Sequence, residues 1–278
     1  MVDEMCSHEA CGKSSCEGCS GCAKKKKNVK HVIAVGSGKG GVGKSSISSL
    51  LAVALAQKGY SVGVLDADIT GPSIPKLFGI TDTPLGRPEG IIPPASPVFD
   101  VRVMSINLLL DDPTKPVVWR GPIIGNVIKQ FWEEVAWDDR DFVIVDLPPG
   151  TADAPLTVMQ TIDLDGFLVV TSPQELSVMV VEKALNMTQM MEVPLLGVVE
   201  NMSYLTCPDC GKVLDIFGPS HVEEIGEKYQ IPVIGRFPLD PELGQLADSG
   251  RIEEYKNHLL LETLAEGVLE RLKTAVHS

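Results

Sequence analysis

The chain has 278 residues, of which 44% are hydrophobic and 22% charged, and its formal net charge is -13. That balance excludes a structureless chain, and the length suits one large α/β domain with a substantial core. The acidity argues against nucleic-acid binding, which is driven by Lys and Arg neutralising phosphates, so the expected partners are proteins and small molecules.

No stretch reaches the roughly 18 apolar residues of a membrane span, and the N-terminus lacks the apolar core of a secretory signal. The expected location is therefore the cytoplasm, with no membrane partner. In that reducing compartment the seven cysteines read as metal ligands rather than disulfides.

Residues 1–28 form a first, Cys-rich unit. Cys6, Cys11, Cys16, Cys19 and Cys22 precede the basic run Lys24 to Lys27, with almost no large apolar side chains. Such a tail has no core of its own, and only a bound metal would order it. Cys16, Cys19 and Cys22 make C-x2-C-x2-C, the spacing of the first three ligands of a bacterial ferredoxin loop, but no fourth C-P residue follows. Cys11 or Cys6 would close the set. A zinc-binding tail and a disordered thiol-rich tail fit the same residues.

Residues 29–278 read as the second unit. HVIAVG (31–36) is a buried strand, Lys44 to Lys58 a helix stopped by Gly59, and SVGVLD (61–66) a second strand. The prolines of 83–97 mark an irregular excursion without regular structure. Strands recur at 141–150, 166–173, 195–202 and 231–238, as unbroken apolar runs separated by helical stretches. Runs of that kind fit a mostly parallel, doubly wound sheet covered on both faces. From Ile252 to Val276 a helical stripe runs through Ile252, Tyr255, Leu259, Leu260, Leu264, Val268, Leu272 and Val276, and it reads as a core-packing helix.

Chemistry concentrates at the strand ends. Gly38, Gly43, Lys44 and Ser45 meet the phosphate-loop pattern G-x4-G-K-S directly between a strand and a helix. The N–H groups of Gly38, Lys39, Gly40, Gly41, Val42, Gly43, Lys44, Ser45 and Ser46 would wrap the phosphates, Lys44 would reach the β and γ oxygens, and the Ser45 hydroxyl would meet Mg²⁺. Asp146 ends a later strand, where it can hold Mg²⁺ through water. Asp66 and Asp68 end SVGVLDAD, close enough to position an attacking water, and Asp68 is a further magnesium candidate. Gly150 and Thr151 fall where a γ-phosphate would sit. No N-K-x-D guanine signature occurs, so ATP is the expected nucleotide; Asn201 either bonds the adenine or shapes the turn before Tyr204.

TCPDCG adds Cys207 and Cys210, a C-x2-C pair that is half of a four-ligand set for zinc or for an iron–sulfur cluster. A symmetric dimer would complete it by bringing two pairs to the two-fold axis.

Two features carry a family resemblance. GSGKGGVGKSS holds a second lysine, Lys39, and with it resembles the deviant phosphate loop of the MinD/ParA/ArsA/nitrogenase-iron-protein class of ATPases. LDADITGPSIPKLFG (65–79), VVWRGP (117–122), DFVIVDLPPGTAD (141–153) and GVVENMS (197–203) resemble the Mrp/ApbC and Nbp-type iron–sulfur carrier ATPases within that class, over residues 29–250. The resemblance implies a MinD-like P-loop fold in which Lys39 reaches across a nucleotide-sandwich dimer to the facing subunit's phosphates. It also implies a homodimer, or a heterodimer with a relative, in which Cys207 and Cys210 bridge a labile [4Fe–4S] cluster bound for apoproteins. Nbp-type relatives carry an N-terminal four-cysteine cluster, but the C-x4-C-x4-C-x2-C-x2-C spacing here departs from the eukaryotic pattern.

A slow ATPase coupled to cluster loading or release is thus the expected function. The competing readings are a MinD/ParA-type positioning ATPase and a zinc-bound nucleotide switch. The first shares the loop but needs neither CPDC nor tail cysteines.

Overall fold

HVIAVGS forms β1 (His31–Ser37), buried at every residue after the first. The computed structural model describes residues 29–68, 71, 73–88, 90–110, 121–150, 153–173 and 178–275. A glycine-rich turn carries β1 into α1 (Lys44–Gln57). The helix stops where Gly59 takes φ of 88° and the N–H groups of Gly59 and Tyr60 reach back to the carbonyls of Ala56 and Leu55. A glycine tolerates that left-handed turn without a Cβ clash, as its position in the sequence predicts.

After α1 come β2 (Val62–Asp66), α2 (Ile74–Phe78), β3 (Leu85–Arg87), β4 (Gly90–Ile92) and β5 (Arg102–Ser105). Then follow α3 (Gly121–Glu134), β6 (Phe142–Asp146), α4 (Asp153–Thr161), β7 (Gly166–Thr171), α5 (Val178–Met190) and β8 (Leu195–Glu200). β9 (Leu205–Thr206), β10 (Val213–Leu214), α6 (Val222–Tyr229), β11 (Val233–Arg236), α7 (Pro241–Asp248) and α8 (His258–Ala275) complete the described chain.

Seven strands make one sheet in the order β11-β8-β7-β1-β6-β2-β5, with every pairing parallel. Alternate side chains point to opposite faces, so β1 sends Ile33 and Val35 to one layer and Val32 and Ala34 to the other. α1, α2 and α8 cover the first face; α3, α4, α5 and α6 cover the second. Both faces being dry, the strands read as continuous apolar runs. The chain leaves β1 toward β2 and β5, returns through β6, and then builds the other half from β7 outward. Ligands of such sheets bind beyond the strands' C-terminal ends, where that direction reverses.

Two expectations need correction. Residues 83–97 are not wholly irregular, because β3 and β4 pair as an antiparallel hairpin. Its paired residues, Leu85 to Arg87 and Gly90 to Ile92, include none of the nearby prolines, so no ladder donor is lost. The C-terminal stripe is also broken. A 3₁₀ turn (Ile252–Glu254) and a short connection precede α8, which resets the helical phase. Leu261 is therefore buried in place of Leu259, which stays 76% exposed, and Val276 lies outside the described residues. Among the described residues no helix is long and apolar enough to cross a membrane.

Candidate functional site

The loop between β1 and α1 turns on glycines. Gly41 and Gly43 hold φ of 89° and 78°, conformations that side-chain-bearing residues rarely adopt. Gly43 is also the residue before α1, and its carbonyl accepts the N–H of Ile47, the first intrahelical bond. The helix's leading N–H groups face the loop's concavity, a ready anion site.

Below the loop Lys44 Nζ lies 2.7 Å from Asp146 Oδ2, with Lys44 6% exposed and Asp146 fully buried. The hydroxyl of Ser45 donates to the same oxygen at 2.7 Å, and that of Ser48 donates to Oδ1 at 2.6 Å. Ser48 sits one helical turn from Lys44 and was not singled out in the sequence; the signal was its i+4 spacing from Lys44 on the loop-facing side of α1. The loop is also tied to β6's continuation, through the Gly150 N–H bond to the Ser37 carbonyl at 2.9 Å.

A cleft of about 310 Å³ opens above this floor. It is lined by Lys39, Gly40, Gly41, Gly43, Lys44, Ser45 and Ser46 from the loop, with Asp68 and Pro149 on the far walls. Lys39 is exposed at its rim, and Asp68 is half-buried. Ser45 on the loop and Asp68 across the cleft bring oxygen ligands to it, and buried Asp146 stands behind Ser45; oxygen donors of this kind suit a hard divalent cation. The structure brings most of the predicted loop residues and Asp68 to one cleft and sets Asp146 beneath the loop; Thr151 lies outside the described residues.

Asp66 differs from its expected role. Parallel register sets it beside Asp146, and its carboxylate is fully buried. Its Oδ2 accepts from the N–H groups of Ser73 and Ile74 and from the Ser105 hydroxyl, so it anchors the start of α2 and the edge strand instead of facing the cleft. Burial, followed by repulsion from Asp146, pushes its pKa up to about 8. Of the two aspartates ending SVGVLDAD, only Asp68 reaches the cleft wall.

Asn201 stands directly after β8. Its side-chain amide is buried and donates to the Val42 carbonyl at 2.9 Å, so the amide nitrogen supports the phosphate loop. From there the chain rises into the hairpin of β9 and β10, whose turn is CPDCG. Gly211, at φ of 70°, and the bonds from Cys207 N–H to the Lys212 carbonyl and from Gly211 N–H to the Cys207 carbonyl close that turn tightly. Cys207 is half-buried and Cys210 exposed. The Cys210 and Asp209 N–H groups, with the Cys210 thiol, hold the Cys207 thiol below the usual range, favouring the thiolate that binds metal. Among the described residues no three His, Cys, Asp or Glu side chains cluster as a metal site, so the thiol pair lacks two ligands of a tetrahedral set.

Comparison with known proteins fits this combination of loop and thiols. Residues 28–272 match the family model described as ParA, the NUBPL iron-transfer P-loop NTPase. The chain belongs to that family. An iron–sulfur cluster carrier protein of Methanocaldococcus jannaschii is 46% identical over 224 residues, covering 80% of this chain and 77% of the relative. One of Clostridium perfringens is 42% identical over 235 residues, covering 82% of each. A nucleotide-binding protein from Archaeoglobus fulgidus, solved in complex with ADP, shares 44% identity at a TM-score of 0.77, over 84% of this chain and 91% of that one. The Pyrococcus furiosus cell division ATPase MinD, at 20% identity and a TM-score of 0.57, covers 87% of this chain and 99% of its own, and shares the fold.

Membership in the iron-transfer P-loop NTPases accounts for a nucleotide loop and a thiol hairpin at the same C-terminal end of the sheet. The tail candidates Cys11, Cys16, Cys19 and Cys22 lie outside the described residues.

Proposed function

We propose that this chain is an ATP-dependent iron–sulfur cluster carrier, which holds a labile [4Fe–4S] cluster as cargo between two subunits and passes it to apoproteins. The observation that carries the reading is the Cys207/Cys210 pair, half-buried and exposed in turn, on a hairpin that follows β8 at the same C-terminal end of the sheet as the phosphate loop after β1. Two thiolates cannot enclose a cluster, and a second copy related by a two-fold axis supplies two more. Val213, Leu214, Ile216 and Phe217 beside the turn are exposed apolar residues that such an interface would cover. The relatives that are iron–sulfur cluster carrier proteins support the cargo. The partner subunit is a second copy or a relative of this chain.

Residues 29–278 act as the ATPase unit, and residues 1–28 as a metal-binding tail in which Cys11, Cys16, Cys19 and Cys22 hold a second cluster. In the nucleotide site the loop N–H groups, from Gly38 to Ser46, bind the phosphates, and Lys44 neutralises the β and γ oxygens. Lys39 of one subunit faces the other's leaving phosphate, so hydrolysis waits on dimer geometry. Asp68 orients the attacking water. Ser45, Asp68 and Asp146 would hold Mg²⁺, which when bound neutralises charge spread over the phosphates. Turnover is slow, because a switch requires a long-lived bound state. The chain works in the cytoplasm.

Anaerobic reconstitution with iron and sulfide tests the cargo. The expected product is a brown dimer with about four irons at the shared site beside those of the tails, and Cys207→Ser loses those four alone. Colourless protein that keeps zinc after the same treatment overturns the proposal.

A further inference from the structure

Four consecutive residues, Glu200 at the end of β8 and the three that follow it, run from the phosphate loop to the root of the thiol hairpin. Asn201 donates its side-chain amide to Val42 in the phosphate loop at 2.9 Å, and its N–H to Thr171 at 2.8 Å. Met202 follows with φ of 54°, a left-handed conformation that a non-glycine residue keeps only where its surroundings impose it. Ser203 is fully buried; its N–H donates to the Phe237 carbonyl and its hydroxyl to Glu200 Oε2, while it accepts from Arg236 Nε at 2.9 Å. The thiol hairpin begins two residues later, at Leu205.

Glu200 is a buried carboxylate whose Oε1 has no hydrogen-bond partner among the described residues. Arg236 stands 3.4 Å from its Oε2 and extends 3.9 Å from Asp215, the residue just after β10. The outer contact, long and half-exposed, contributes little. The inner contact is the firmer one, because Glu200 and Ser203 are fully buried and depend on each other and on Arg236 Nε for their bonds, while the rest of the Arg236 side chain reaches solvent.

We infer that Glu200–Ser203 couple the phosphate loop to the thiol hairpin, and that Arg236 is the positioning residue fixing the hairpin's root. Phosphates drawing on the loop's N–H groups shift the Val42 carbonyl, and Asn201 follows it. Arg236 ties Ser203 to Glu200 so that the turn moves as one unit, and the displacement passes to Leu205 instead of dissipating in the turn. The same link must run in reverse, from thiols to nucleotide affinity. This inference rests on the reading of Gly38–Ser46 as an ATP site.

The test is alkylation of the full reduced, metal-free chain by iodoacetamide, with rates at Cys207 and Cys210 followed by peptide mass spectrometry, with and without Mg·ATP. In the wild type nucleotide changes the rate about fivefold or more, within the usual span of coupling between sites. Arg236→Lys keeps a cation opposite Glu200 but loses the guanidinium fork, and Ser203→Ala removes the bridging hydroxyl with little change in volume. Both variants bind ATP as the wild type does, while the rate ratio falls to about 1. A purely structural role would alter both rates together and leave the ratio intact. Wild-type ratios in both folded variants, or no nucleotide effect in a wild-type chain that binds ATP, overturn the inference. Neither outcome touches the carrier reading, which stands or falls on iron content.

Discussion

Lys44 and Asp146 form an ion pair of 2.7 Å on the floor of the phosphate site, with both side chains out of solvent. Removing one partner strands the other charge in a poorly solvated place. Lys44→Ala therefore lowers the stability of the nucleotide-free chain by about 3 kcal/mol, softened by the Ser45 and Ser48 bonds to the carboxylate. Replacing both members with apolar residues, as in Lys44→Met with Asp146→Leu, recovers most of that loss although nucleotide binding is gone. Urea unfolding of the single and double variants measures both quantities.

The two lysines of the loop differ in place, and the proposed function gives them different roles. Lys44 is buried under the loop; Lys39 is exposed at the cleft rim. Lys39→Ala is expected to keep ATP affinity within about threefold and to lose at least about 100-fold in turnover, the scale of a cation that acts on the transition state. Lys44→Ala loses binding as well. Fluorescent-nucleotide titration beside phosphate release separates the two; equal, mild losses would count against a lysine acting across subunits.

Gly43 cannot carry a side chain. A Cβ there would stand 2.2 Å from Asn201 Nδ2, and the residue already holds φ of 78°. Gly43→Ala must displace the buried amide that supports Val42 and bear a left-handed alanine. A loss of about 2 to 3 kcal/mol follows from strain plus the broken bond, together with at least tenfold weaker ATP binding. Thermal unfolding and nucleotide titration of the variant check this.

The strands, the phosphate loop and Asp146 were legible because each is a local pattern: an apolar run, a glycine spacing, an acid at a strand end. What escaped the sequence is set by contacts distant along the chain. β5 and the hairpin of β3 and β4 are only three or four residues long and form because a partner strand is present. Glu200 and Arg236 meet across adjacent strands, and nothing in either residue's neighbourhood announces the other. Asp66 and Asp68 look alike in the sequence, yet parallel register buries the first beside Asp146 and leaves the second on the cleft wall. A two-residue difference along an extended chain decided which carboxylate reaches the cleft.

Asp141 gives a pH signature far from the site. It precedes β6 and accepts from Lys30 Nζ at 2.6 Å and from the N–H and hydroxyl of Ser61, each at 2.8 Å. Those bonds, the Lys30 one foremost, hold its pKa down to about 2. A carboxyl depressed in the folded state binds fewer protons there than in the unfolded chain, where its pKa is about 3.9. Its contribution is therefore present in full above about pH 5 and fades as pH falls through 4 toward 2. Lys30 is well exposed, so solvent screening limits what its bond contributes to stability, and the Ser61 bonds add to it from a less exposed position. Asp141→Asn is expected to lose about 1 kcal/mol at pH 7. The gap from the wild type should close steadily in urea unfolding at pH 5, 4 and 3, and a gap that stays constant over that range would show that the Asp141 charge contributes nothing.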